Sequence, residues 1–278
     1  MAMQIRECLQ QAYDTLARAG NGEGRLDARV LLCHVLSCPG SYLYSHDDRE
    51  LDQGLVDKYL SVIKERASGV PCAYITGSKE FYGLEFRVSR DTLIPRPDTE
   101  TLVELAISMA GQHGFRDILD LGTGCGAIAV ALAKNLKHAS VTACDISEGA
   151  LDVARENARA LGAWVAFVQG SWFDNIKGRY GLIVSNPPYV REGDPHLEDL
   201  SHEPVGALVS GAEGLDDIIE IASQAPGFLV DGGMLMLEHG CDQGERVRAV
   251  LADKGYAKIK TVTDLQHRER VTYGIIRS

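Results

Sequence analysis

The sequence predicts an α/β chain: a doubly wound, mostly parallel sheet with an antiparallel edge hairpin, preceded by a small N-terminal helical domain. Three observations carry that prediction. From Arg116 onward strand-like apolar runs alternate with helical ones, the pattern of a sheet covered by helices on both faces. Residues 1–71 show helical spacing only. The tail holds two strand-like runs, 257–262 and 270–276, with no helical pattern between them, and these form a hairpin at one sheet edge.

Taken in order, Ile5, Leu9, Ala12 and Leu16 recur at helical spacing until Gly20-Asn21-Gly22 ends the first helix. A second helix starts near Leu26, carries Val30, Leu31 and Val35, and stops at Cys38-Pro39-Gly40. A third, over 51–67, sets Leu55, Tyr59, Val62 and Ile63 on one side. Residues 72–93 change character. The runs Cys72-Ala73-Tyr74-Ile75-Thr76-Gly77 and Leu84-Glu85-Phe86-Arg87-Val88 flank Phe81-Tyr82-Gly83, and we read 72–93 as a β-hairpin linker. A helix then runs through Met109, with Asp98 or Thr99 as its cap and Glu100 in the first turn, where the helix dipole favours a negative charge. Strands follow at 117–120, 140–145, 163–169, 180–185 and 233–238, and helices at 127–135, 149–161 and 215–224. Residues 94–278 therefore make one α/β domain, the expected seat of catalysis; the helical unit serves recognition or packing.

The 278 residues are 45% hydrophobic and 24% charged, enough apolar content for a sizeable core. A net charge of −11 argues against broad nucleic-acid binding, which needs Lys and Arg to neutralise phosphates. The seven cysteines include no CxxC pair, and the eight histidines no HExxH, so reduced thiols are expected and no metal. The opening MAMQIRECLQQAYDTLARAG lacks an apolar core and carries early acidic residues, unlike a signal or transit peptide. No apolar run approaches the roughly 18 residues of a membrane span. A cytoplasmic location is expected.

Two segments carry chemistry. Ser185-Asn186-Pro187-Pro188-Tyr189 follows an apolar strand at the sheet's carboxyl edge, where ligands bind in doubly wound sheets. Proline fixes its own φ, removes an N–H and pushes the preceding residue toward extended geometry. Asn186 and Pro187 are thus held extended, and the segment presents acceptors: the Asn186 side-chain oxygen and nearby carbonyls. Such a surface suits a ligand with two N–H donors, a primary amide or an exocyclic amine. The second segment, Asp120-Leu121-Gly122-Thr123-Gly124-Cys125-Gly126-Ala127, links a strand to a helix N-terminus, with glycines that permit a tight turn and close backbone approach. The next strand ends at Asp145, 19 residues after Gly126, where a carboxylate can accept both ribose hydroxyl protons. Gly122-x-Gly124-x-x-Ala127 also satisfies the dinucleotide fingerprint, so a nicotinamide enzyme stays open on this loop alone.

The alternate glycines after Asp120 resemble the DxGxGxG loop of class I S-adenosylmethionine-dependent methyltransferases, and an Asn-Pro-Pro-Tyr segment after the fourth strand resembles those that modify planar, amide-like nitrogens. Three further stretches narrow the resemblance: Thr92-Leu93-Ile94-Pro95-Arg96-Pro97-Asp98-Thr99-Glu100, Gly170-Ser171-Trp172-Phe173, and His202-Glu203-Pro204-Val205-Gly206-Ala207-Leu208 with Gly211-Ala212-Glu213-Gly214-Leu215. With the helical unit and the linker, the whole chain resembles the PrmC/HemK family of protein-(glutamine-N5) methyltransferases of peptide chain release factors.

That resemblance implies methylation of the glutamine in a Gly-Gly-Gln motif, with S-adenosylmethionine as cofactor and a release factor as protein substrate in translation termination. Neither direct nucleic-acid contact nor a membrane is implied, and nothing demands an oligomer. Carried over, Gly122, Thr123, Gly124, Cys125 and Gly126 hold the methionine end of the cofactor, Asp145 its ribose, and Trp172 lies by the adenine. Asn186, Pro187, Pro188 and Tyr189 hold the glutamine. Asn186 and Pro187 are the catalytic pair, with Asn186 also at the cofactor. The family's frequent acidic residue before Trp-Phe is Ser171 here, and its aromatic before Glu-Pro is His202. In the expected chemistry Asn186 Oδ1 and the Pro187 carbonyl accept both amide N–H bonds, aim the nitrogen and stabilise charge developing on it. Holding the reactants in line removes up to roughly 7–11 kcal/mol of barrier. No convincing base is found; Glu100 and Glu203 stand nearest by motif. The alternatives are an adenine-N6 methyltransferase of DNA or RNA, disfavoured by charge and by the lack of a basic cleft, and a cofactor-binding scaffold without chemistry.

Overall fold

The computed structural model describes residues 3–276 and divides the chain into two compact units, 1–78 and 79–278. In the first, strands β1 (Met3–Gln4) and β2 (Glu50–Leu51) pair antiparallel beside helices α1 (Ile5–Arg18), α2 (Gly24–Leu36), α3 (Gly40–Ser45), α4 (Gln53–Ala67) and α5 (Cys72–Thr76). Ile5, Leu16, Leu31, Leu32, Val56, Tyr59 and Ile63 interlock in its core. The buried Tyr59 hydroxyl donates to the Ala28 carbonyl at 2.9 Å, so this large side chain leaves no polar atom orphaned. Asp52 caps α4 by accepting from Leu55 N–H.

Residues 72–76, expected to open the hairpin linker as a strand, form α5 instead. Their β-branched and aromatic side chains suit a strand, but Pro71 opens the turn of helix and Gly77, at φ +75°, closes it in the left-handed region. The hairpin is shorter: β3 (Ser78–Phe81) and β4 (Leu84–Arg87), joined through Tyr82-Gly83.

The second unit contains a seven-stranded sheet. Its strands are β5 (Asp117–Leu121), β6 (Ser140–Asp145), β7 (Val165–Gln169), β8 (Tyr180–Ser185), β9 (Leu229–Glu238), β10 (Tyr256–Thr263) and β11 (Glu269–Ile276), in spatial order β10-β11-β9-β8-β5-β6-β7. The five strands from β9 to β7 run parallel; β11 lies antiparallel between β9 and β10, so the tail forms the expected edge hairpin. Helices α6 (Glu100–His113), α7 (Ala127–Asn135), α8 (Glu148–Leu161), α9 (Asp216–Gln224) and α10 (Gly244–Asp253) complete the unit. Every residue of β8 is buried, the signature of a central parallel strand covered on both faces. The strand order reverses at β5, between β6 and β8. At such a reversal the connecting loops diverge and leave a crevice beyond the strands' carboxyl ends.

Candidate active site

That crevice is a cavity of about 460 Å³, within the size range of small-molecule sites. Each loop after β5, β6, β7 and β8 supplies part of its wall: Gly122 and Gly124, then Asp145, Ile146 and Ser147, then Gly170 to Trp172, then Asn186 and Pro188. A smaller cavity of about 50 Å³ shares Gly122, Gly124, Leu93 and Asn186 with it and adds Thr123, Cys125, Arg96, Thr99 and Phe81.

The glycine loop has a different reason at each glycine. Gly122, Gly124 and Gly126 sit at φ +69°, +56° and +83°, a region costly for other residues. At Gly122 a Cβ would also meet the Trp172 ring at 3.3 Å, whereas at Gly124 it would meet nothing within 4 Å. At Gly126 it would strike the Ala154 Cβ at 3.0 Å; this glycine lines neither cavity and serves the packing of α7 on α8. The turn is held from behind. Thr123 N–H donates to the Cys144 carbonyl at 2.9 Å, and Thr123 Oγ1 to Asp120 Oδ2 at 2.6 Å. Asp120 is fully buried with Oδ1 unpartnered, and burial pushes its carboxyl up to about 7. Burial likewise raises the Cys125 thiol to about 12, so it remains a neutral packing group.

Asp145 ends β6 with its carboxylate braced by backbone: Oδ2 accepts from Gly124 N–H at 2.8 Å and Oδ1 from Ser147 N–H at 2.9 Å. Burial raises its pKa and these donors oppose the rise. Each carboxylate oxygen has two lone pairs, so each keeps one acceptor direction for a ligand. Trp172, at φ +46°, packs over Gly122 beside the wall formed by Ser171.

The 185–189 segment is clamped at both ends. Ser185 Oγ donates to the Leu121 carbonyl at 2.8 Å, and Gln243 Nε2 donates to the Tyr189 carbonyl at 3.0 Å. Between the clamps, Asn186 and Pro188 face the cavity while Pro187 is buried. Asn186 Nδ2 donates to Thr99 Oγ1 at 3.3 Å, which leaves Oδ1 without a partner among the described residues. Tyr189 lines neither cavity; its hydroxyl lies 3.4 Å from Glu238 Oε1, behind the wall.

Neither carboxylate nearest by motif lines either cavity. Glu100 Oε1 accepts from Tyr82 N–H at 2.9 Å. Glu203, 5% exposed, accepts from Ile94 N–H at 3.1 Å and pairs with Arg96, fastening the 92–96 loop. Thr99, an expected cap of α6, makes no capping bond, and nor does Asp98, whose carboxylate pairs with Arg270 at 2.9 Å. Among the described residues no three His, Cys, Asp or Glu side chains gather as a metal site requires.

Sequence reasoning missed Ile146 and Arg90 on the cavity wall, and Asn157 behind it. Ile146 had a signal: it directly follows the strand-ending Asp145 and stays 71% exposed. Asn157 had none. It is buried, donates to the Cys125 carbonyl at 2.8 Å and exchanges hydrogen bonds with the Arg87 backbone, tying β4 to the glycine loop.

Known proteins align with this arrangement. A model of the PrmC N-terminal domain matches residues 7–77, and one of the methyltransferase small domain matches 99–213. The release factor glutamine methyltransferase of Vibrio cholerae is 47% identical over 279 aligned positions, covering 99% of this chain and 97% of that protein. The chain belongs to the release factor glutamine methyltransferase family. Its member from Xylella fastidiosa, strain Temecula1, is 45% identical over 93% of this chain and 96% of its own length. The fold recurs more widely. A methyltransferase from Pyrococcus furiosus (TM-score 0.55, 17% identity) covers 77% of this chain and all of its own. The 16S rRNA N2 G1207 methyltransferase of T. thermophilus, solved with AdoMet and guanosine (TM-score 0.54, 20% identity), covers 72% of this chain and 50% of its own. The sheet of this family member is thus that of class I S-adenosylmethionine-dependent methyltransferases, with an N-terminal helical unit that matches the PrmC N-terminal domain.

Proposed function

We propose that the protein methylates the side-chain amide nitrogen of the glutamine in the Gly-Gly-Gln motif of peptide chain release factors, using S-adenosylmethionine. The supporting observation is Asn186: its NH₂ is committed to Thr99, so its oxygen is the end available to an N–H donor at the wall shared by both cavities. The residues fit the cofactor. Gly124 leaves open space, Asp145 keeps two acceptor directions for a ribose, and Trp172 with Ile146 offers apolar surface for a base. Gly122, Thr123, Gly124, Cys125 and Asn186, on the walls of the two cavities, complete that assignment, and Gly126 supports it from behind by packing α7 on α8. When bound, the cofactor supplies an electrophilic methyl group on a positively charged sulfur.

The chain's own residues bind, orient and polarise the amide. An amide lone pair is delocalised, and accepting both N–H bonds, at Asn186 Oδ1 and the Pro187 carbonyl, stabilises positive charge growing on nitrogen. Pro188 and Tyr189 shape the same segment. No carboxylate is assigned as base, since neither Glu100 nor Glu203 lines a cavity; as the N–C bond forms and the methyl–sulfur bond breaks, the amide's surplus N–H proton leaves during or after transfer. We assign recognition of the release factor to the helical unit, residues 1–71, and catalysis to 94–278 with the 72–93 linker between. Action as a monomer in the cytoplasm without direct nucleic-acid contact belongs to the same reading, in keeping with the net charge of −11. Among the described residues no helix is long and apolar enough to cross a membrane.

The test offers labelled S-adenosylmethionine with a release factor, with its Gly-Gly-Ala variant, and with adenine-containing DNA. Label on the intact factor alone is expected, and Asn186→Ala abolishes it while cofactor binding largely survives. Label on DNA alone would overturn the proposal.

A further inference from the structure

Helix α2 ends on two cysteines that the backbone holds side by side. Ser37, the first residue past the helix, sits in the left-handed region at φ 50° and ψ 46°. Two hydrogen bonds close the turn around it. Ser37 N–H donates to the His34 carbonyl at 3.2 Å, and Cys38 N–H reaches back to the Cys33 carbonyl at 3.1 Å. This is the Schellman arrangement, in which the residues joined by the wider bond also bring their side chains together. Here both of those residues are cysteines, and both pack half-buried against the core of the helical unit.

The spacing suits a disulfide. With standard bond lengths, a backbone hydrogen bond of 3.1 Å between two residues keeps their Cα atoms within roughly 7 Å, the outer limit for bridging cysteines. The other thiols are placed differently. Cys8, Cys125 and Cys144 are buried, and burial raises the thiols of Cys72, Cys125 and Cys144 to about 12, which keeps them protonated and inert. Cys241 is exposed, with no second cysteine on its loop after β9. Cys33 and Cys38 combine partial access with a thiol partner.

We propose that Cys33 and Cys38 are a modification site, where a hydroperoxide forms an intramolecular disulfide that staples the end of α2 to the chain entering α3. With hydrogen peroxide, the Cys38 thiolate attacks one oxygen and the O–O bond breaks. Cys38 becomes a sulfenic acid, and the other oxygen leaves as water. The Cys33 sulfur then attacks the Cys38 sulfur, gives up its proton and expels the sulfenic oxygen as a second water. Two electrons pass from the thiols to the peroxide. Burial and the neighbouring Cys38 thiol raise the Cys33 thiol, so Cys33 takes the second, intramolecular step, where proximity offsets its small thiolate fraction. Reversible oxidation of this kind is the usual role of a disulfide in a reducing compartment. The staple acts on the helical unit and is independent of the reaction proposed above.

The test treats the reduced full-length protein with hydrogen peroxide, raised until Cys241 is oxidised. Alkylation under denaturing conditions and peptide mass mapping follow. The fragment holding Cys33 and Cys38 is expected to lose about 2 Da, two hydrogens, with both positions closed to alkylation and reopened by dithiothreitol. Cys33→Ser removes the resolving thiol, so the same treatment carries Cys38 to sulfenic and sulfinic acid. Ser37→Val disfavours the left-handed turn, because a β-branched residue rarely adopts positive φ. It should slow disulfide formation about tenfold while circular dichroism shows the helices intact. Cys33 and Cys38 both still open to alkylation once Cys241 is consumed would overturn the proposal. So would a disulfide joining Cys38 to a different cysteine, or an unchanged rate of formation in Ser37→Val.

Discussion

The Trp172 ring lies over Gly122 so closely that a methyl group at residue 122 would meet it at 3.3 Å, and Gly122 itself holds φ +69°. The two residues come from the loops after β5 and β7, so their contact closes the cavity floor across the intervening β6. Gly122→Ala therefore meets two penalties, a left-handed backbone costing about 1–2 kcal/mol and an aromatic side chain that must yield. We expect at least a tenfold weaker affinity for S-adenosylmethionine by calorimetry. Gly178, equally left-handed at φ +88° but with open space around it, is the control, and Gly178→Ala should leave that affinity unchanged.

Glu203 tests whether a buried carboxylate by the site is a base or a fastening. It accepts from Ile94 N–H and pairs with Arg96, so removing it leaves a partly buried guanidinium and an N–H unmatched. Glu203→Ala should destabilise the protein by about 3 kcal/mol, read by chemical denaturation. Glu203→Gln retains an acceptor for Ile94 and should keep kcat within about threefold. A loss of a hundredfold or more in Glu203→Gln, with cofactor affinity intact, would instead mark Glu203 as a base.

How much of this was legible before the structure differs by residue. The bounds of β6, β8 and α7 could be read to the residue, because apolar runs end abruptly at Asp145, at Asn186-Pro187 and after the glycine loop. Short helices escaped: α3 and α5 have six and five residues, too few for a helical period to appear. The cavity's main walls were legible because Gly122, Gly124, Asp145, Trp172 and Asn186 all lie just past strand ends, where topology brings loops together. The cluster around Glu238 was not. Asp98 and Arg268 stand 170 positions apart, and no local pattern reports such a pairing.

Asp120 couples the glycine loop to stability. Its carboxyl is raised by burial to about 7 in the folded protein, against 3.8 for an ordinary aspartate. The folded state thus binds the proton more tightly than the unfolded one. Asp120's contribution is most favourable below about pH 4 and is lost as pH rises through 7. Asp120→Asn has no such proton to lose. Between pH 5 and pH 8 wild type should lose roughly 3 kcal/mol of unfolding free energy relative to Asp120→Asn. Parallel stability curves for the two proteins would show that Asp120 ionises at its ordinary pKa.

Glu238 extends the same reasoning to rate. Burial raises its carboxyl to about 7, while Thr99, Arg270 and Tyr189 oppose the rise and Asp98 adds to it. Below that pH Glu238 is neutral, so its hold on the Tyr189 hydroxyl, which anchors the end of the 185–189 segment, weakens. The turnover rate should therefore fall on the acid side with a midpoint near 7, as the ionised carboxylate is lost. Glu238→Gln keeps an acceptor oxygen for the Tyr189 hydroxyl and does not titrate, so its rate at pH 8 should lie within about fivefold of wild type and its acid limb should vanish. Recording kcat for both proteins from pH 5.5 to 8.5, roughly 1.5 units either side of that midpoint, separates the cases. An acid limb of equal midpoint in Glu238→Gln would assign the titration to another group.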